Sequence, residues 1–377
     1  MDVEIIAIGS EVLEGHTVNT NAAFLSRELT LMGYEVKRHS VYPDQTEAIE
    51  QGFRDALSRA PLVISTGGLG PTIDDLTRGA ARNIFDQEIP LTNSIGAASG
   101  SFIHAPHQAM NLLTGVPREM EEMFRNEAKP QIARYFPLKH PRLCRVSSLC
   151  LLKEVEVDPF LRELQSKFPE NEIGIYPSQG SLLIEFSGLH ASPLDEMVAA
   201  LQSRFSTYFF TSPSHKIAEA LHKELIARSK TVALAESCTG GAIAARLTAL
   251  AGASRYFLGS LVVYSNPFKE HFLQVSRTTL EREGAVSRKT VEAMIKGVFH
   301  ETSADFAIAV SGIAGPDGGT AQKPVGTICI GIGERGRFID IGTVQAPTDR
   351  ASAIEWTVQT SLGALWRRLV HHKQTFS

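Results

Sequence analysis

Thr231-Val232-Ala233-Leu234-Ala235-Glu236-Ser237-Cys238-Thr239-Gly240-Gly241 is the stretch from which the fold of this chain can be read. Residues 231–234 form a short apolar run, the pattern of a buried strand. Apolar side chains then recur at Ile243, Leu247 and Leu250, which is helical spacing. A strand that turns at once into a helix is the repeating unit of an α/β sheet. Ser237 then stands at the strand's carboxyl end, the edge where such sheets bind ligands. Ser237 or Thr239 can cap the helix, while Gly240 and Gly241 suit either close packing or approach to a substrate.

The same pattern repeats downstream. A strand over 257–264 runs into Ser265-Asn266-Pro267-Phe268-Lys269, where Asn266 reads as a cap and Pro267 as the first helical residue. That puts Lys269 in a first helical turn, where the helix dipole opposes a cation and favours a neutral amine. Another strand, 306–310, ends at Ser311-Gly312. A strand over 325–332 and a helix from about Arg350 to Leu369 close the chain. Ser237, Tyr264, Lys269 and Ser311 are therefore expected at one sheet edge. Serine is a poor nucleophile until a base takes its proton, and a neutral lysine can do so. In this reading Tyr264 relays a proton or holds the lysine. Ser311 and the N–H groups near Gly240 or Gly312 polarise the amide oxygen. Cys238 stands beside Ser237 as a rival nucleophile.

The first 140 residues alternate strand (3–8), helix, strand (34–39), helix (46–57) and strand (62–65). Thr66-Gly67-Gly68-Leu69-Gly70-Pro71-Thr72-Ile73-Asp74-Asp75 follows. Backbone N–H groups at Gly67, Gly68 and Gly70 could cradle a phosphate, and Asp74 and Asp75 could hold a hard divalent metal or simply favour a helix start. Residues 141–212 read as strand, helix, two strands and helix, a small α+β module without catalytic groups. The expected class is α/β: two three-layer α/β/α domains with mostly parallel sheets, 1–140 and 213–377, joined by the module at 141–212.

Composition narrows the function. With 43% hydrophobic and 21% charged residues, the 377-residue chain has material for large cores. A net charge of -4 without a basic run argues against a nucleic-acid surface. No apolar run is long enough to span a membrane, and no leader pattern precedes the first strand. The four cysteines form no C-x-x-C pair, so neither zinc nor a disulfide framework is expected, and the protein reads as cytoplasmic.

The motifs Glu236-Ser237-Cys238-Thr239-Gly240-Gly241, Tyr264-Ser265-Asn266 with Lys269, Gly284-Ala285-Val286-Ser287, Ser311-Gly312-Ile313-Ala314-Gly315-Pro316 and Lys323-Pro324-Val325-Gly326 resemble the carboxyl-terminal domain of the CinA family (competence/damage-inducible protein A). Gly9–Gly15, Asn19-Thr20-Asn21 and the glycine loop are similar to that family's amino-terminal domain, which is related to molybdopterin-binding domains. The resemblance implies a nicotinamide-nucleotide amidohydrolase that converts nicotinamide mononucleotide to nicotinate mononucleotide and ammonia. It needs no cofactor and forms a homodimer. Ser237 matches the nucleophile, Tyr264 and Lys269 match its partners, and Arg350 matches an arginine that could meet the substrate phosphate. The amino-terminal resemblance implies metal-dependent pyrophosphatase chemistry on ADP-ribose, with Asp74 and Asp75 as candidate metal residues.

This chain departs from the family at several points. Residues 93–108 replace a longer segment carrying a Gly-Thr-Ala-Pro-Gly motif, and Thr114 stands where proline is usual. Ser311 replaces a threonine, Ile354 a second arginine, and Gly259-Ser260 a double glycine. Weak or lost pyrophosphatase activity is expected.

Overall fold

Each segment marked out by the sequence is built on its own sheet. The structure, a computed structural model, describes residues 1–70, 76–139 and 141–376. It divides into two units, Met1–Cys144 with Ser187–Ala191, and Arg145–Phe186 with Ser192–Ser377. Among the described residues no helix is long and apolar enough to cross a membrane.

The first unit holds β1 (Asp2–Ile8), β2 (Glu35–Tyr42), β3 (Leu62–Thr66), β4 (Gln87–Leu91), β5 (Gly100–Ala105) and β6 (Gln108–Leu113). They form one sheet in the order β2-β1-β3-β6-β5-β4. β2, β1, β3 and β6 run parallel, while β5 and β4 are antiparallel to their neighbours. Side chains alternate between the sheet's faces, so β1 feeds two cores. Val3 and Ile5 pack under helix Thr20–Leu31, and Ile6 and Ile8 under helix Thr46–Leu57. The strands β4–β6 were not anticipated: β6 extends the parallel part of the sheet, and β5 and β4 add an antiparallel edge.

The middle segment forms β7 (Leu143–Cys150), β8 (Glu172–Ser178), β9 (Ser181–Gly188) and β10 (Phe209–Phe210), ordered β10-β7-β9-β8. It packs with the last segment rather than standing apart: Cys150 and Phe210 share a core with Leu221, Leu362 and Trp366.

The last segment forms β11 (Val232–Glu236), β12 (Phe257–Val262), β13 (Phe306–Gly312), β14 (Thr327–Glu334) and β15 (Phe338–Gln345), ordered β12-β11-β13-β14-β15. β12, β11 and β13 are parallel, and β14 and β15 are antiparallel. β11 is buried on both faces, as a central parallel strand should be. Val232 and Leu234 join the core under helices Ile217–Ala227 and Arg350–His371; Ala233 and Ala235 join that under helix Arg288–Glu301. That second helix comes close because β14 carries glycines: a Cβ on Gly331 would lie 2.7 Å from Ile295 Cδ1. The parallel trio thus brings the carboxyl ends of β11, β12 and β13 to one edge, flanked by helices on both faces.

Candidate active site

Ser237 follows β11 directly and is 7% exposed. Its backbone N–H donates to Val310 O of β13 at 3.1 Å, which fixes its place at the sheet edge. Lys269 reaches it from helix Asn266–Leu273, with Nζ 2.9 Å from Ser237 Oγ. The helix starts one residue earlier than the sequence suggests: Ser265 is the cap, Asn266 the first helical residue, and Pro267 the second. Pro267 still fits, since early helical N–H groups lack intrahelical partners.

Lys269 is 1% exposed, and Nζ lies 2.8 Å from Val263 O and 3.1 Å from Tyr264 O. Burial lowers its pKa from 10.5 to about 8. The largest cause is desolvation. This geometry suits a neutral amine. Two N–H groups satisfy the two carbonyls, and the lone pair remains for the Ser237 hydroxyl proton.

Tyr264 holds the lysine, one of the two parts expected of it, but through its backbone. Its carbonyl meets the lysine, whereas its ring is 58% exposed. Its hydroxyl accepts from Arg350 Nη2 at 3.0 Å. Arg350, the first residue of helix Arg350–His371, also donates from Nη1 to Gly315 O at 3.1 Å. Two of the guanidinium's five N–H donors are so engaged. Ile354, one turn on, packs against the core.

Ser311 lies within β13 and is 1% exposed; its hydroxyl donates to Ala285 O at 2.8 Å. That proton is committed to holding the loop before helix Arg288–Glu301, so it does not serve an oxyanion as expected. Gly312 is needed for packing, because a Cβ there would lie 2.2 Å from Ile328 Cδ1 and 3.1 Å from Cys238 Sγ.

The residue that sequence reasoning missed is Glu236. Its carboxylate is fully buried beside the nucleophile and accepts five hydrogen bonds. The donors are Thr239 Oγ1 (2.7 Å), Gly241 N (3.1 Å), Ile243 N (3.0 Å), Ala244 N (3.0 Å) and Ser260 Oγ (3.0 Å). Glu236, not Ser237 or Thr239, therefore caps helix Ala242–Thr248. Gly240 at φ +60° and Gly241 at φ +100° allow the reversal that turns the helix amides back onto it. Thr239 and Gly241 are consequently part of this internal anion site, and the Gly240 N–H donates to Ser237 O at 3.1 Å. Among the described residues, the backbone N–H groups of Cys238 and Thr239 find no acceptor in another residue, which makes them the local candidates for an oxyanion. The signal for Glu236 was present in the sequence as an acidic residue closing an otherwise apolar strand. Glu236→Gln is expected to cost about 2 kcal/mol or more of stability, because an amide NH₂ would face amide N–H donors. It is also expected to lower kcat more than tenfold, about the cost of one misplaced donor set, with KM little changed. Thermal unfolding and steady-state kinetics check the two effects.

Cys238 is 6% exposed, and burial pushes its thiol up to about 12. Among the described residues no base bonds its Sγ, whereas Lys269 Nζ meets Ser237 Oγ, so the geometry favours Ser237 over Cys238. Cys238→Ala is expected to retain activity within about threefold, and thiol alkylation to leave the rate unchanged.

In the first unit, Gly67 and Gly68 have φ +106° and +63°. A Cβ on Gly67 would lie 2.0 Å from Ile8 O, and one on Gly68 2.2 Å from Thr77 Oγ1. Gly67 N donates to Leu113 O, so that amide is engaged within the sheet. Gly67 borders a small pocket of about 90 Å³ with Asn21, Thr66 and Gly115; Gly68 and Gly70 are not among its lining residues. Asp74 and Asp75 lie outside the described residues. Among the described residues no cluster of three His, Cys, Asp or Glu could hold a metal ion.

Residues 214–369 match the family model described as the CinA C-terminal domain, and residues 4–134 that of a probable molybdopterin binding domain. A "CinA-like protein" of Citrifermentans bemidjiense is 33% identical over 421 aligned positions, covering 100% of this chain and 99% of that protein. That alignment is longer than the chain, so the relative carries stretches absent here. A "Putative competence-damage inducible protein" of Halothermothrix orenii is 32% identical, covering 88% of this chain and 90% of its own length. The crystal structure of the competence/damage inducible protein CihA from Agrobacterium tumefaciens is 37% identical, over 40% of this chain and 91% of its own, at a TM-score of 0.39.

Proposed function

The chain belongs to the CinA family, and on that premise we propose that it hydrolyses the amide of nicotinamide mononucleotide to nicotinate mononucleotide and ammonia. The observation that carries this reading is the 2.9 Å approach of a fully buried, readily deprotonated Lys269 to Ser237 Oγ. Lys269 takes the hydroxyl proton as Ser237 Oγ adds to the amide carbon. The carbonyl oxygen becomes an oxyanion within reach of the turn amides after Ser237. Protonated Lys269 then returns the proton to the leaving nitrogen, ammonia departs, and an acyl ester remains on Ser237. Water hydrolyses that ester with Lys269 again as base. Every proton moves between groups of this chain, substrate and water.

Arg350 is the group suited to the substrate phosphate, because its exposed guanidinium projects beside Tyr264 with donors to spare. Glu236 already fills the helix amino terminus that might otherwise take an anion. The test compares nicotinamide mononucleotide with the dephosphorylated riboside, following the acid product by mass. Turnover of the nucleotide at a lower KM than the riboside supports the reading; turnover of neither contradicts it. A second reading, a non-catalytic nucleotide-binding protein, is favoured by Ile354 in place of an arginine, and it predicts binding of the nucleotide without product.

For the first unit we propose little or no pyrophosphatase activity, on the strength of the shortened stretch at 93–108 and Thr114. No AMP should form from ADP-ribose with added magnesium or manganese. Robust release would overturn this.

The protein is further proposed to act as a cytoplasmic homodimer without nucleic-acid or membrane partners. Size measurement in solution checks the dimer.

A further inference from the structure

Tyr264 is anchored at both ends, yet its ring is left bare. Just before it, the Val263 N–H donates to Glu236 O at 2.8 Å, and Val263 is buried. Just after it, Ser265 caps helix Asn266–Leu273. The Tyr264 carbonyl accepts from Lys269 Nζ at 3.1 Å. At the far end of the side chain the hydroxyl accepts from Arg350 Nη2 at 3.0 Å, and Arg350 is itself tied to Gly315 O at 3.1 Å. Between these anchors the residue remains 58% exposed. An aromatic ring held in place and open to water is a surface prepared for something flat.

The ring also lies between the two groups that a nucleotide substrate has to reach. Lys269 Nζ touches both the Tyr264 carbonyl and Ser237 Oγ, which puts the nucleophile at the backbone end of this residue. Arg350 stands at the hydroxyl end. A ligand with its reacting carbon at Ser237 and its phosphate at Arg350 therefore extends along the length of one tyrosine. In nicotinamide mononucleotide the amide and the phosphate are separated by a pyridinium and a ribose. The pyridinium is flat and positively charged, and the face of a phenol ring attracts such a cation. Glu236, the acidic residue beside the nucleophile, does not serve instead: its carboxylate is fully buried and taken up by donors of its own chain.

We propose that Tyr264 is a specificity-determining residue, whose exposed ring face stacks on the substrate's pyridinium and selects a cationic, N-substituted nicotinamide ring over an uncharged one. The assignment deepens the reading of nicotinamide mononucleotide as substrate and rests on it. In this role the hydroxyl is a tether rather than a proton relay. Its bond to Arg350 orders the ring before the nucleotide arrives, so little freedom is lost on binding. The same bond keeps the guanidinium that meets the phosphate in register with the ring that meets the pyridinium.

The experiment uses full-length Ser237→Ala protein, so that binding is read without turnover. It is titrated by calorimetry with nicotinamide mononucleotide and, separately, with the reduced mononucleotide. The two ligands share phosphate, ribose and carboxamide, but the reduced ring carries no charge. About tenfold tighter binding of the oxidised form is expected. Adding Tyr264→Leu should bring the two affinities within about threefold of each other. Adding Tyr264→Phe, which keeps the ring and removes only the hydroxyl, should preserve the preference. Both variants lose the bond to Arg350, and both ligands carry the phosphate, so the ratio of affinities isolates the ring. Both changes fall on an exposed side chain, which leaves the core untouched. Equal affinities in the Ser237→Ala parent, an unchanged ratio in Tyr264→Leu, or a ratio lost in Tyr264→Phe overturns the proposal. Ammonia release by the wild type is followed separately. Its absence, with the ratios behaving as expected, would strike the deamidase reading and leave the role of the ring standing.

Discussion

Ser237→Ala is expected to lower kcat for nicotinamide mononucleotide by about 10⁴-fold or more, the scale seen when a nucleophile is removed from a serine hydrolase. No other group near the site can take over. Cys238 is buried with its thiol held protonated, and the Ser311 hydroxyl is bonded to Ala285 O. The loss should appear in kcat alone. The alanine removes one oxygen from a residue whose backbone N–H still pairs with Val310 O, so the edge of the sheet stays in place. Equilibrium binding of the nucleotide should then remain within about threefold of wild type, because the removed interaction acts in the transition state. A variant that loses binding and turnover together would point instead to collapse of the turn at Gly240 and Gly241.

Lys269→Met should cost about 10² to 10⁴-fold in kcat, the span typical of a removed general base. Methionine keeps the length and apolar stem of a buried side chain but leaves the carbonyls of Val263 and Tyr264 without their donor. The variant should nevertheless fold, because removing a buried amine also removes the cost of desolvating its charged form. Wild-type kinetics carry the same signature. With a lysine pKa of about 8, about one molecule in ten has the neutral amine at pH 7. Thus kcat/KM should rise about tenfold per pH unit below 8 and level off above it. The sign for stability follows from the same shift. The folded pKa lies below the ordinary 10.5, so between about 8 and 10.5 the unfolded chain binds the extra proton and stability rises with pH. Lys269→Met should lose both the kinetic limb and this rise. A variant at full rate would remove lysine from the mechanism.

Much of the site was legible because its parts are local. An apolar run, a turn and an apolar helix stripe place Ser237 at a strand end, and Ser265-Asn266-Pro267 starts the helix that carries Lys269. What stayed hidden depends on partners far away in the chain. Glu236 looks out of place in a buried strand until the helix amides and Ser260 are seen around it. Tyr264 is close to Lys269 in sequence, yet its carbonyl faces inward and its ring outward. β5 and β6 join through Pro106-His107, with His107 at φ +69°, so the hairpin lacks the Asn-Gly or Asp-Gly signature that would announce it. β15 carries Asp340, and the tail N–H groups of Thr375 and Phe376, far away in the chain, are among the donors that meet its buried carboxylate.

Ammonia release from nicotinamide mononucleotide, with wild type and Ser237→Ala side by side in the presence of a metal chelator, tests the account most directly. The account predicts release by wild type alone, matched mole for mole by nicotinate mononucleotide. Release by both proteins would contradict the assignment of Ser237, and release by neither, from folded protein, would contradict the deamidase itself.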